Sequence, residues 1–499
     1  MTLRQGPDLI LVNLAALPAA AAMPAPELIA ITGNRISYAG PRDALGDLAA
    51  PQTRLLDCQG GLVIPGFNDA HCHPVAHAAT LRHVDCSPAR VATIAAVQTA
   101  LREYSGTGQW IRAGGCDGTA LAEGRLPTRR DLDDAVSDRP VILVEHSGQC
   151  CVLNTMAITI CGLSDAVGGD GIVPGNDERL TRALPRLTAE ELEAGLRQAS
   201  RLYLEQGITS LHDTSWSNRH RHWLALRHFK QNGILAPRVT MLAGIDALEE
   251  FTGRGLKTGA GDAHLRLGAM KIALDESTAT PDPPQEDWDT AALRAHLAGF
   301  QLSFHVPDLT LLQRALRSLA MVRELSLTEC VRPRFEHCPV CPPALLPDIA
   351  EAGAVLVMQP NLLFATGPRY LRHLDQDQLS WISPIRSILA AGIGIAFGSD
   401  APLTPSAPFP AMATAVTRRV DGGASLAAAE GIAVETALRC YSSAGAFCSR
   451  EEHLKGSIAA GMLADLAILD RNPLALPSDQ LGASRVMITL LDGRVAWQS

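Results

Sequence analysis

Apolar and polar positions follow two different rhythms along most of the chain. Short runs of strand length, most of them apolar, occupy residues 141–144, 209–211, 267–274, 302–305, 334–337, 355–359 and 393–399. Longer stretches with helical spacing, such as 188–206, 288–298 and 309–325, lie between them. Strands that alternate with helices predict βαβ units and a parallel sheet, and about eight such units close into a barrel. We therefore predict an α/β fold built on a (β/α)8 TIM-like barrel.

Both ends of the chain have another pattern, in which short apolar runs are separated by turn signals. One such signal is Asp492-Gly493, which lies between two candidate strands near the end of the chain. Dipeptides of this kind are typical of tight turns. The pattern predicts one small β-sandwich domain formed jointly by residues 1–64 and 452–499. The barrel is then expected in residues 65–451.

The apolar stretch at residues 9–25 ends in small residues, as a secretory leader does. However, Arg4 is the only basic residue among the first eight, and Asn13 interrupts the apolar run. We therefore expect a strand at residues 9–17 and a cytoplasmic protein. A run of about 18 apolar residues is absent from the sequence, so no membrane-spanning helix is expected.

Composition narrows the class of protein. The chain has 499 residues, with 43 Lys and Arg against 52 Asp and Glu, and a formal net charge of -9. This acidic balance argues against a nucleic-acid-binding protein, which normally carries a basic face. The hydrophobic content of 47% permits a large buried core. The 12 cysteines lack compact disulfide spacing and predict free thiols.

Two histidines follow the first candidate strand of the barrel. The apolar residues 61–64 lead into the sequence PGFNDAHCHP at 65–74, which contains His71 and His73. In an extended backbone alternate side chains share a face, so His71 and His73 point the same way and Cys72 points the other way. Two adjacent imidazoles are suited to binding one divalent metal such as Zn2+.

Three further candidate ligands stand at the ends of other apolar runs. His305 ends the run at 302–305, His337 ends the run at 334–337, and Asp400 follows the run at 393–399. The carboxyl ends of barrel strands converge on one site, so ligands far apart in the sequence meet there. Four histidines and one aspartate at strand ends therefore predict a metal site.

Lys271 is one of only four lysines in the chain and lies inside the apolar run at 267–274. A free ammonium group is costly in such surroundings. Two interpretations avoid this cost. In the first, the side chain pairs with Asp275 or Glu276. In the second, burial deprotonates the amine, which then takes up CO2 as a carbamate that bridges two metals.

An ordered series of motifs covers nearly the whole chain. Besides residues 65–74 it contains WIRAGGCD at 110–117, GRLPTRRDLD at 124–133, GITSLHD at 207–213, LGAMKIALD at 267–275, RFEHC at 334–338, MQPN at 358–361, FGSDAPL at 397–403 and GSIAAGMLADLAILD at 456–470. In this series the chain resembles the amidohydrolase superfamily, and within it amidohydrolase family 3, the YtcJ-like metal-dependent hydrolases. The resemblance implies a (β/α)8 barrel beside a β-sandwich made by both termini.

The resemblance also implies a centre of one or two divalent metals, most often zinc. The ligands that it implies are His71, His73, Lys271, His305, His337 and Asp400. In a two-metal centre, carboxylated Lys271 bridges to a second ion held by His305 and His337. In a one-metal centre, His305 joins the ligands of the first ion, and His337 hydrogen-bonds the substrate or an intermediate. The sequence leaves open the number of metals, their identity and the carboxylation of Lys271.

The chemistry implied by such a centre is hydrolysis by metal-activated hydroxide, since zinc lowers the pKa of a bound water to about 7. Asp400 is expected to accept the proton as hydroxide attacks a carbonyl carbon, and to return it to the leaving nitrogen. His337, where it is not a ligand, offsets the charge on the oxyanion. The expected substrate is a small molecule with an amide, formamide, carbamate or cyclic amide C–N bond.

Other uses of the same fold stay open. The same metal site serves C–O hydrolysis, decarboxylation or isomerisation when loops redirect the chemistry, and a catalytically silent barrel serves binding alone. The presence of every candidate ligand favours an enzyme over a silent barrel. The expected partner is a small-molecule substrate, with no nucleic acid and no membrane. If the protein is an oligomer, a homodimer is the commonest arrangement.

Three residues are candidate substrate contacts. Gln149 stands where the family often has a histidine. Glutamine cannot become cationic near neutral pH, so this position predicts a neutral rather than an anionic substrate. Gln359, at the end of the seventh strand, is expected to touch the substrate, and Asp117 is expected to line the pocket or to pack a loop. Arg334 and Glu336 are expected to pair with each other, and the alternative is that they line the pocket.

Overall fold

The computed structural model describes residues 6–16, 26–104, 106, 108–146, 148, 150–165, 167–175, 177–184, 187–277 and 283–499. The chain divides into two compact units. The first unit consists of Met1–Pro74 together with Ser200–Ser499, and the second is Val75–Ala199. The sequence of the first unit is therefore interrupted by that of the second.

The described residues form strands between Leu9 and Gln498. In chain order they are β1 (Leu9–Val12), β2 (Ala15–Ala16), β3 (Leu28–Thr32), β4 (Arg35–Gly40), β5 (Arg54–Asp57), β6 (Leu62–Pro65), β7 (Phe67–Cys72), β8 (Val84–Asp85), β9 (Ile111–Cys116), β10 (Val141–Glu145), β11 (Cys150–Leu153), β12 (Ile172–Pro174), β13 (Ile208–Asp213), β14 (Arg238–Gly244), β15 (Leu265–Ile272), β16 (Leu302–Val306), β17 (Arg334–His337), β18 (Val355–Met358), β19 (Gly394–Phe397), β20 (Leu466–Leu469), β21 (Val486–Leu491) and β22 (Arg494–Gln498).

The α-helices are interspersed with these strands. They are α1 (Leu45–Leu48), α2 (Pro74–Thr80), α3 (Ile94–Arg102), α4 (Arg129–Ala135), α5 (Thr155–Ile160), α6 (Glu178–Ala183), α7 (Ala189–Glu205), α8 (His220–Gln231), α9 (Leu248–Thr252), α10 (Leu274–Ser277), α11 (Gln285–Leu297), α12 (Leu309–Leu325), α13 (Leu346–Glu351), α14 (Pro360–His373), α15 (Gln376–Ser380), α16 (Ile385–Ala390), α17 (Pro408–Thr417), α18 (Val434–Cys440) and α19 (Ser443–Cys448). Short 3-10 turns occur at Arg42–Ala44, Ile245–Ala247, Pro343–Leu345, Ala428–Glu430, Pro473–Ala475 and Ser478–Ala483.

Eight parallel strands form the barrel of the first unit. Their order is β7-β13-β14-β15-β16-β17-β18-β19. The two end strands meet, because the amide nitrogen of Asp400 donates to the carbonyl oxygen of His71 at 2.7 Å. Strands β7, β13, β14 and β18 are buried along their whole length, as expected for parallel strands covered by helices. The predicted barrel is confirmed.

Two sheets made from both ends of the chain form the predicted sandwich. One sheet has the strand order β4-β3-β1-β5, and the other joins β2 and β6 to β20, β21 and β22. Their shared core contains Leu11 and Ile29 from the first sheet, and Val63, Ile468 and Leu490 from the second. Strands β1, β3, β6 and β20 are buried along nearly their whole length, which accounts for the short apolar runs near both termini.

The second unit has a five-stranded sheet of its own, in the order β12-β11-β10-β9-β8. Strand β10 pairs in parallel with β9 and antiparallel with β11. From the sequence, the apolar run at 141–144 is assigned to the barrel, because it alternates with helical segments. In the structure this run belongs to the sheet of the second unit. An apolar run marks a buried strand, but it does not identify the strand's neighbours, which are set by tertiary packing.

The sequence predicts no membrane-spanning helix and no disulfide bonds. No helix among the described residues combines the length and the apolar content needed to cross a bilayer. All 12 cysteines are free thiols, as their spacing predicts.

Gly398 lies where the first and last strands of the barrel approach each other. A Cβ atom at this position would lie 2.5 Å from the amide nitrogen of His71 and 2.6 Å from its Cβ. Such distances are shorter than side chains tolerate, so a larger residue must displace the backbone that carries His71.

We expect Gly398→Ala to lower the free energy of unfolding by about 1–3 kcal/mol, because the barrel seam must shift to admit the methyl group. A urea titration measures this change. Gly46→Ala is the matched control, since nothing lies within 4 Å of its added Cβ and alanine is favoured over glycine in a helix. Equal stabilities of Gly398→Ala and the wild-type protein would contradict the close approach.

Candidate metal centre

Six side chains that the sequence predicts as ligands stand at or near the carboxyl ends of barrel strands. They are His71 on β7, His73 just beyond it, Lys271 on β15, His305 on β16, His337 at the end of β17 and Asp400 shortly after β19. The parallel strands of a barrel end at one common mouth. The fold therefore gathers residues that lie far apart in the sequence.

Three of these side chains bring their donor atoms close together. Among the described residues, His71, His73 and Asp400 form a group whose ligand atoms all lie within 4.8 Å of one another. The Oδ1 atom of Asp400 is 3.0 Å from Nε2 of His73 and 3.5 Å from Nε2 of His71. The two imidazole rings lie 5.4 Å apart, as the strand alternation predicts. This group is the core of the candidate centre.

The other two histidines extend the cluster on one side. The ring of His337 lies 4.6 Å from that of His71 and 5.0 Å from that of His305. Its Nδ1 atom is 4.0 Å from Oδ2 of Asp400. The structure therefore brings all four predicted histidines into one continuous cluster.

Rigid connections hold the residues at the mouth. Strand β16 carries His305 and is followed within three residues by α12, whose first turn is capped by Asp308 accepting from the amide of Leu311 at 2.8 Å. Gln359 stands between β18 and α14. A capped helix that starts this soon after a strand restricts the backbone that bears the functional side chain.

Each imidazole uses its Nδ1 atom to contact a polar side chain. The pairs are His71 with Oε2 of Glu336 at 2.7 Å, His73 with Oγ of Ser215 at 3.0 Å, His305 with Oδ2 of Asp275 at 2.8 Å, and His337 with Oε1 of Gln359 at 3.0 Å. A hydrogen bond at one ring nitrogen fixes what the other nitrogen offers. The nature of these four partners therefore decides what the Nε2 atoms can bind.

Two of the partners are carboxylates, Glu336 and Asp275. An ionised carboxylate only accepts hydrogen bonds, so Nδ1 of His71 and Nδ1 of His305 must carry hydrogen. A neutral ring that is protonated on Nδ1 has its lone pair on Nε2. These two histidines therefore present lone pairs from Nε2.

The remaining two partners lead to the same tautomer. Gln359 donates through its amide nitrogen to a backbone carbonyl at 2.9 Å, so its oxygen faces His337 and accepts from Nδ1. Ser215 donates its hydroxyl hydrogen to Asp213 at 2.7 Å and so accepts from Nδ1 of His73. All four rings, when neutral, thus have their lone pair on Nε2.

This arrangement fits a divalent metal ion. The lone pair on Nε2 of His73 and the carboxylate of Asp400 are two acceptors only 3.0 Å apart. They repel each other unless a proton or a cation lies between them. Imidazole nitrogen with carboxylate oxygen is a donor set that zinc and similar metals bind, and ligand histidines commonly donate their other nitrogen to a carboxylate or carbonyl group.

The electrostatics of the centre keep most of these groups ready to bind a cation. Burial lowers the pKa of His71 to about 4, against the opposing effect of the hydrogen bond that His71 donates to Glu336. Burial also holds the pKa of His337 well below its usual range. Burial alone would raise the pKa of Asp400, but its hydrogen bond with His73 and the nearby imidazoles hold that pKa well below the usual range.

His73 is the exception among these histidines. Burial lowers the pKa of His73, but the hydrogen bond and the negative charge of Asp400 outweigh it, so the pKa is raised. In the absence of a metal, a proton therefore occupies the space between His73 and Asp400 more readily than it protonates His71 or His337.

Lys271 is buried, with 3% of its surface exposed. In the register of β15 and β16, Lys271 lies opposite Ser303, two residues before His305 on the neighbouring strand. The Oδ2 atom of Asp275, one of the two acids considered as its partner, accepts from His305. Carboxylation of Lys271 stays a prediction.

Of the three candidate substrate contacts, the structure describes Gln359 and Asp117. Gln359 contacts His337, so its oxygen is engaged within the centre. Asp117 lies in the Val75–Ala199 unit, where its carboxylate accepts from the backbone and the hydroxyl of Thr119 at 2.8 and 2.7 Å. These bonds are typical of a turn-forming aspartate. Gln149 lies outside the described residues.

Two contacts of the centre are not predicted from the sequence. Glu336 precedes His337 directly, so strand alternation places them on opposite faces. The backbone of His337 has a φ of 79°, and this left-handed conformation accompanies the turn of its side chain towards the centre. Ser215 carries no sequence signal except its position two residues after Asp213 at a strand end.

Comparisons with known proteins agree with the motifs. The family model described as "Amidohydrolase family" matches residues 54–496. The N-substituted formamide deformylase of Arthrobacter pascens is 27% identical over 98% of this chain and 98% of its own length. The putative amidohydrolase YtcJ of Bacillus subtilis is 23% identical over 90% and 91%. A metal-dependent hydrolase from Pyrococcus furiosus has the same fold, with a TM-score of 0.76 and 23% identity over 93% of this chain and 99% of that one.

The raised pKa of His73 predicts that metal binding displaces a proton. We expect the affinity for Zn2+ to increase as the pH rises from about 6 to about 8, because fewer His73 rings are then protonated. Isothermal titration calorimetry in buffers of different ionisation enthalpy measures both the affinity and the protons released. The control is His264→Ala, which removes a half-exposed histidine beside Asp492 and should leave the pH dependence unchanged. An affinity that is constant over this range would contradict the prediction.

Proposed function

This chain belongs to the amidohydrolase family, and from that premise we propose that it cleaves an N-substituted formamide to formate and an amine. The protein is a metal-dependent hydrolase of a carbon–nitrogen bond in a small molecule, as its motifs predict. The formamide is one of the substrate classes expected from the sequence. It is supported by the deformylase of Arthrobacter pascens, which matches this chain over nearly the full length of both proteins.

The observation that carries the proposal is the convergence of the imidazole Nε2 atoms on Asp400. His71, His73 and Asp400 are the residues that would hold the metal. We propose zinc, since nitrogen and carboxylate ligands suit that ion. A bound zinc ion would supply Lewis-acid chemistry, polarising a carbonyl group and lowering the pKa of water at the site.

Asp400 is the proposed proton carrier. Its neighbours hold its pKa well below the usual range, so the carboxylate is ionised at neutral pH and carries no proton before water attacks. As water attacks the formyl carbon, Asp400 takes one of its protons. The C–N bond then breaks, and the amine nitrogen receives the proton from Asp400, because an amine leaves more readily than its anion.

The sequence leaves two roles open for His337, and the hydrogen bonds favour one. A neutral His337 that donates from Nδ1 to Gln359 has no hydrogen on Nε2 to offer an oxyanion. Burial disfavours the imidazolium form that could donate from both nitrogens. We therefore propose that His337 and His305 are the residues that would hold a second metal, and that a carboxylated Lys271 would supply it with a further oxygen ligand.

The proposal also includes what the protein binds. The partner is a small-molecule substrate. The net charge of -9 supports the absence of a nucleic-acid partner. A homodimer stays a prediction.

We expect the zinc-loaded enzyme to hydrolyse N-alkylformamides with a kcat/KM at least about tenfold above that for the matching N-alkylacetamides. The acetyl methyl group must fit beside the centre, and a single misplaced carbon in a pocket costs a factor of this order. Release of formate and amine in equal amounts is measured by coupled assay and chromatography.

The control for this assay is His73→Ala, which should bind less metal and lose turnover while the chain stays folded. Hydrolysis of another C–N substrate without any activity on formamides would contradict the proposed substrate. Full activity of His73→Ala after removal of contaminating enzyme would contradict the proposed site.

A further inference from the structure

Glu336 connects His71 to a buried arginine. Its Oε2 atom accepts from Nδ1 of His71 at 2.7 Å. Its Oε1 atom accepts from Nε of Arg334 at 2.7 Å and from the hydroxyl of Ser303 at 2.7 Å. None of these four residues has more than 1% of its surface exposed. One carboxylate oxygen thus accepts from a histidine of the metal centre, and the other accepts from Arg334 and Ser303.

Arg334 is itself held in one orientation. Its Nη2 atom donates to the carbonyl oxygen of Ala70 at 2.8 Å and to Oε2 of Glu336 at 3.2 Å, and its Nη1 atom contacts Nδ1 of His212 at 3.0 Å. These contacts tie together strands β7, β13 and β17. The guanidinium therefore cannot turn away from Glu336 without breaking bonds on two other strands.

The charge on Glu336 follows from these contacts. Arg334 donates to both carboxylate oxygens, Ser303 donates to Oε1, and His71 donates to Oε2, so neither oxygen is left to carry a proton. A buried carboxylate with its oxygens fully used by donors is stable in its ionised form.

We propose that Glu336 is a positioning residue that keeps His71 protonated on Nδ1, so that its Nε2 lone pair faces the metal, and that Arg334 makes a carboxylate obligatory at this position. This proposal rests on the metal site that the proposed function assigns to His71. It extends that site by a residue which does not itself touch the metal or the substrate.

The reason that a carboxylate is obligatory is the pattern of donors around it. A glutamine at position 336 has an amide oxygen at one of the two carboxylate oxygen positions and an amide nitrogen at the other. Arg334 can only donate, so the amide oxygen is drawn towards Arg334 and the amide nitrogen is left facing His71. His71 must then accept at Nδ1 and carry its hydrogen on Nε2, where it blocks metal binding.

A purely structural ion pair is the alternative explanation, and the chain contains a matched control for it. Arg238 and Asp465 form another buried pair, with Nε to Oδ2 at 2.6 Å and Nη2 to Oδ1 at 3.0 Å, and both side chains are at most 3% exposed. Arg238 begins β14, at the end of the barrel opposite the centre. Asp465→Asn therefore removes an equivalent buried charge without contacting a proposed ligand.

The test compares Zn2+ affinity in the purified wild-type protein, Glu336→Gln and Asp465→Asn, each titrated against a chromogenic chelator. We expect Glu336→Gln to raise the Kd for Zn2+ by about 10–100-fold, the range found when a partner of a ligand histidine is lost. Asp465→Asn should keep the wild-type Kd, although urea titration should show both variants to be destabilised. Equal Kd values for Glu336→Gln and the wild type, or equal losses in the two variants, would overturn the proposal.

A second readout follows the tautomer itself. In metal-free protein with 15N-labelled histidine, the two-bond couplings of His71, assigned with His71→Ala, should place the hydrogen on Nδ1 in the wild type and on Nε2 in Glu336→Gln. An unchanged tautomer would overturn the proposal.

If Glu336→Gln does not fold, Glu336→Asp is the variant to use. It keeps the negative charge but withdraws the carboxylate from His71, so it should raise the Kd for Zn2+ more than Asp465→Glu does. An equal Kd in these two variants would overturn the proposal.

These outcomes separate the two proposals. If the wild-type protein binds Zn2+ and loses it on His71→Ala but not on Glu336→Gln, only the positioning role fails. If the wild-type protein does not bind Zn2+ at all, the proposed metal-dependent function fails with it.

Discussion

The hydrogen on Nδ1 of four imidazoles decides what the mouth of the barrel can bind. Each of these hydrogens is held by an acceptor, namely a glutamate, a serine, an aspartate or a glutamine. The lone pairs are therefore left on the Nε2 atoms, and two of these meet the carboxylate of Asp400 within 3.5 Å. A set of acceptors gathered so closely is unfavourable by itself and is stabilised by a cation. The hydrogen-bond acceptors around the centre thus determine its chemistry.

The barrel stabilises this arrangement, because it surrounds the polar groups with partners. Glu336 and Arg334 satisfy each other inside the barrel, where an unpaired charge would be costly. The predicted pairing of these two residues is confirmed. At the seam between the first and last strands, the bond from Asp400 to the carbonyl oxygen of His71 joins two members of the centre through the backbone. Stability of the seam and geometry of the centre therefore depend on the same contacts.

The sequence predicts the centre well where local geometry is sufficient. Alternation along a strand places His71 and His73 side by side, and the common mouth of a parallel barrel brings His305, His337 and Asp400 to them. These inferences need only the position of each residue at a strand end. The family motifs add the order of the ligands along the chain and the expectation of a metal.

Sequence reasoning is insufficient where the answer depends on tertiary contacts or on one unusual backbone angle. The left-handed conformation of His337 allows Glu336 and His337 to serve the same centre, which alternation does not predict. The contact between Gln359 and His337 connects the ends of two strands, and the sequence of neither strand by itself predicts it. The run at residues 141–144 is recognisable as a strand, but its assignment to the second unit depends on its pairing partners.

We expect a metal held by His71, His73 and Asp400 to lie at the Nε2 atoms of the two histidines and not at their Nδ1 atoms. Anomalous diffraction at the zinc edge, from crystals grown with Zn2+, would locate the ion. We expect an anomalous peak about 2.0–2.1 Å from Nε2 of both His71 and His73, with a carboxylate oxygen of Asp400 beside it. A peak bonded to Nδ1 of either ring, or no peak near these residues, would contradict it.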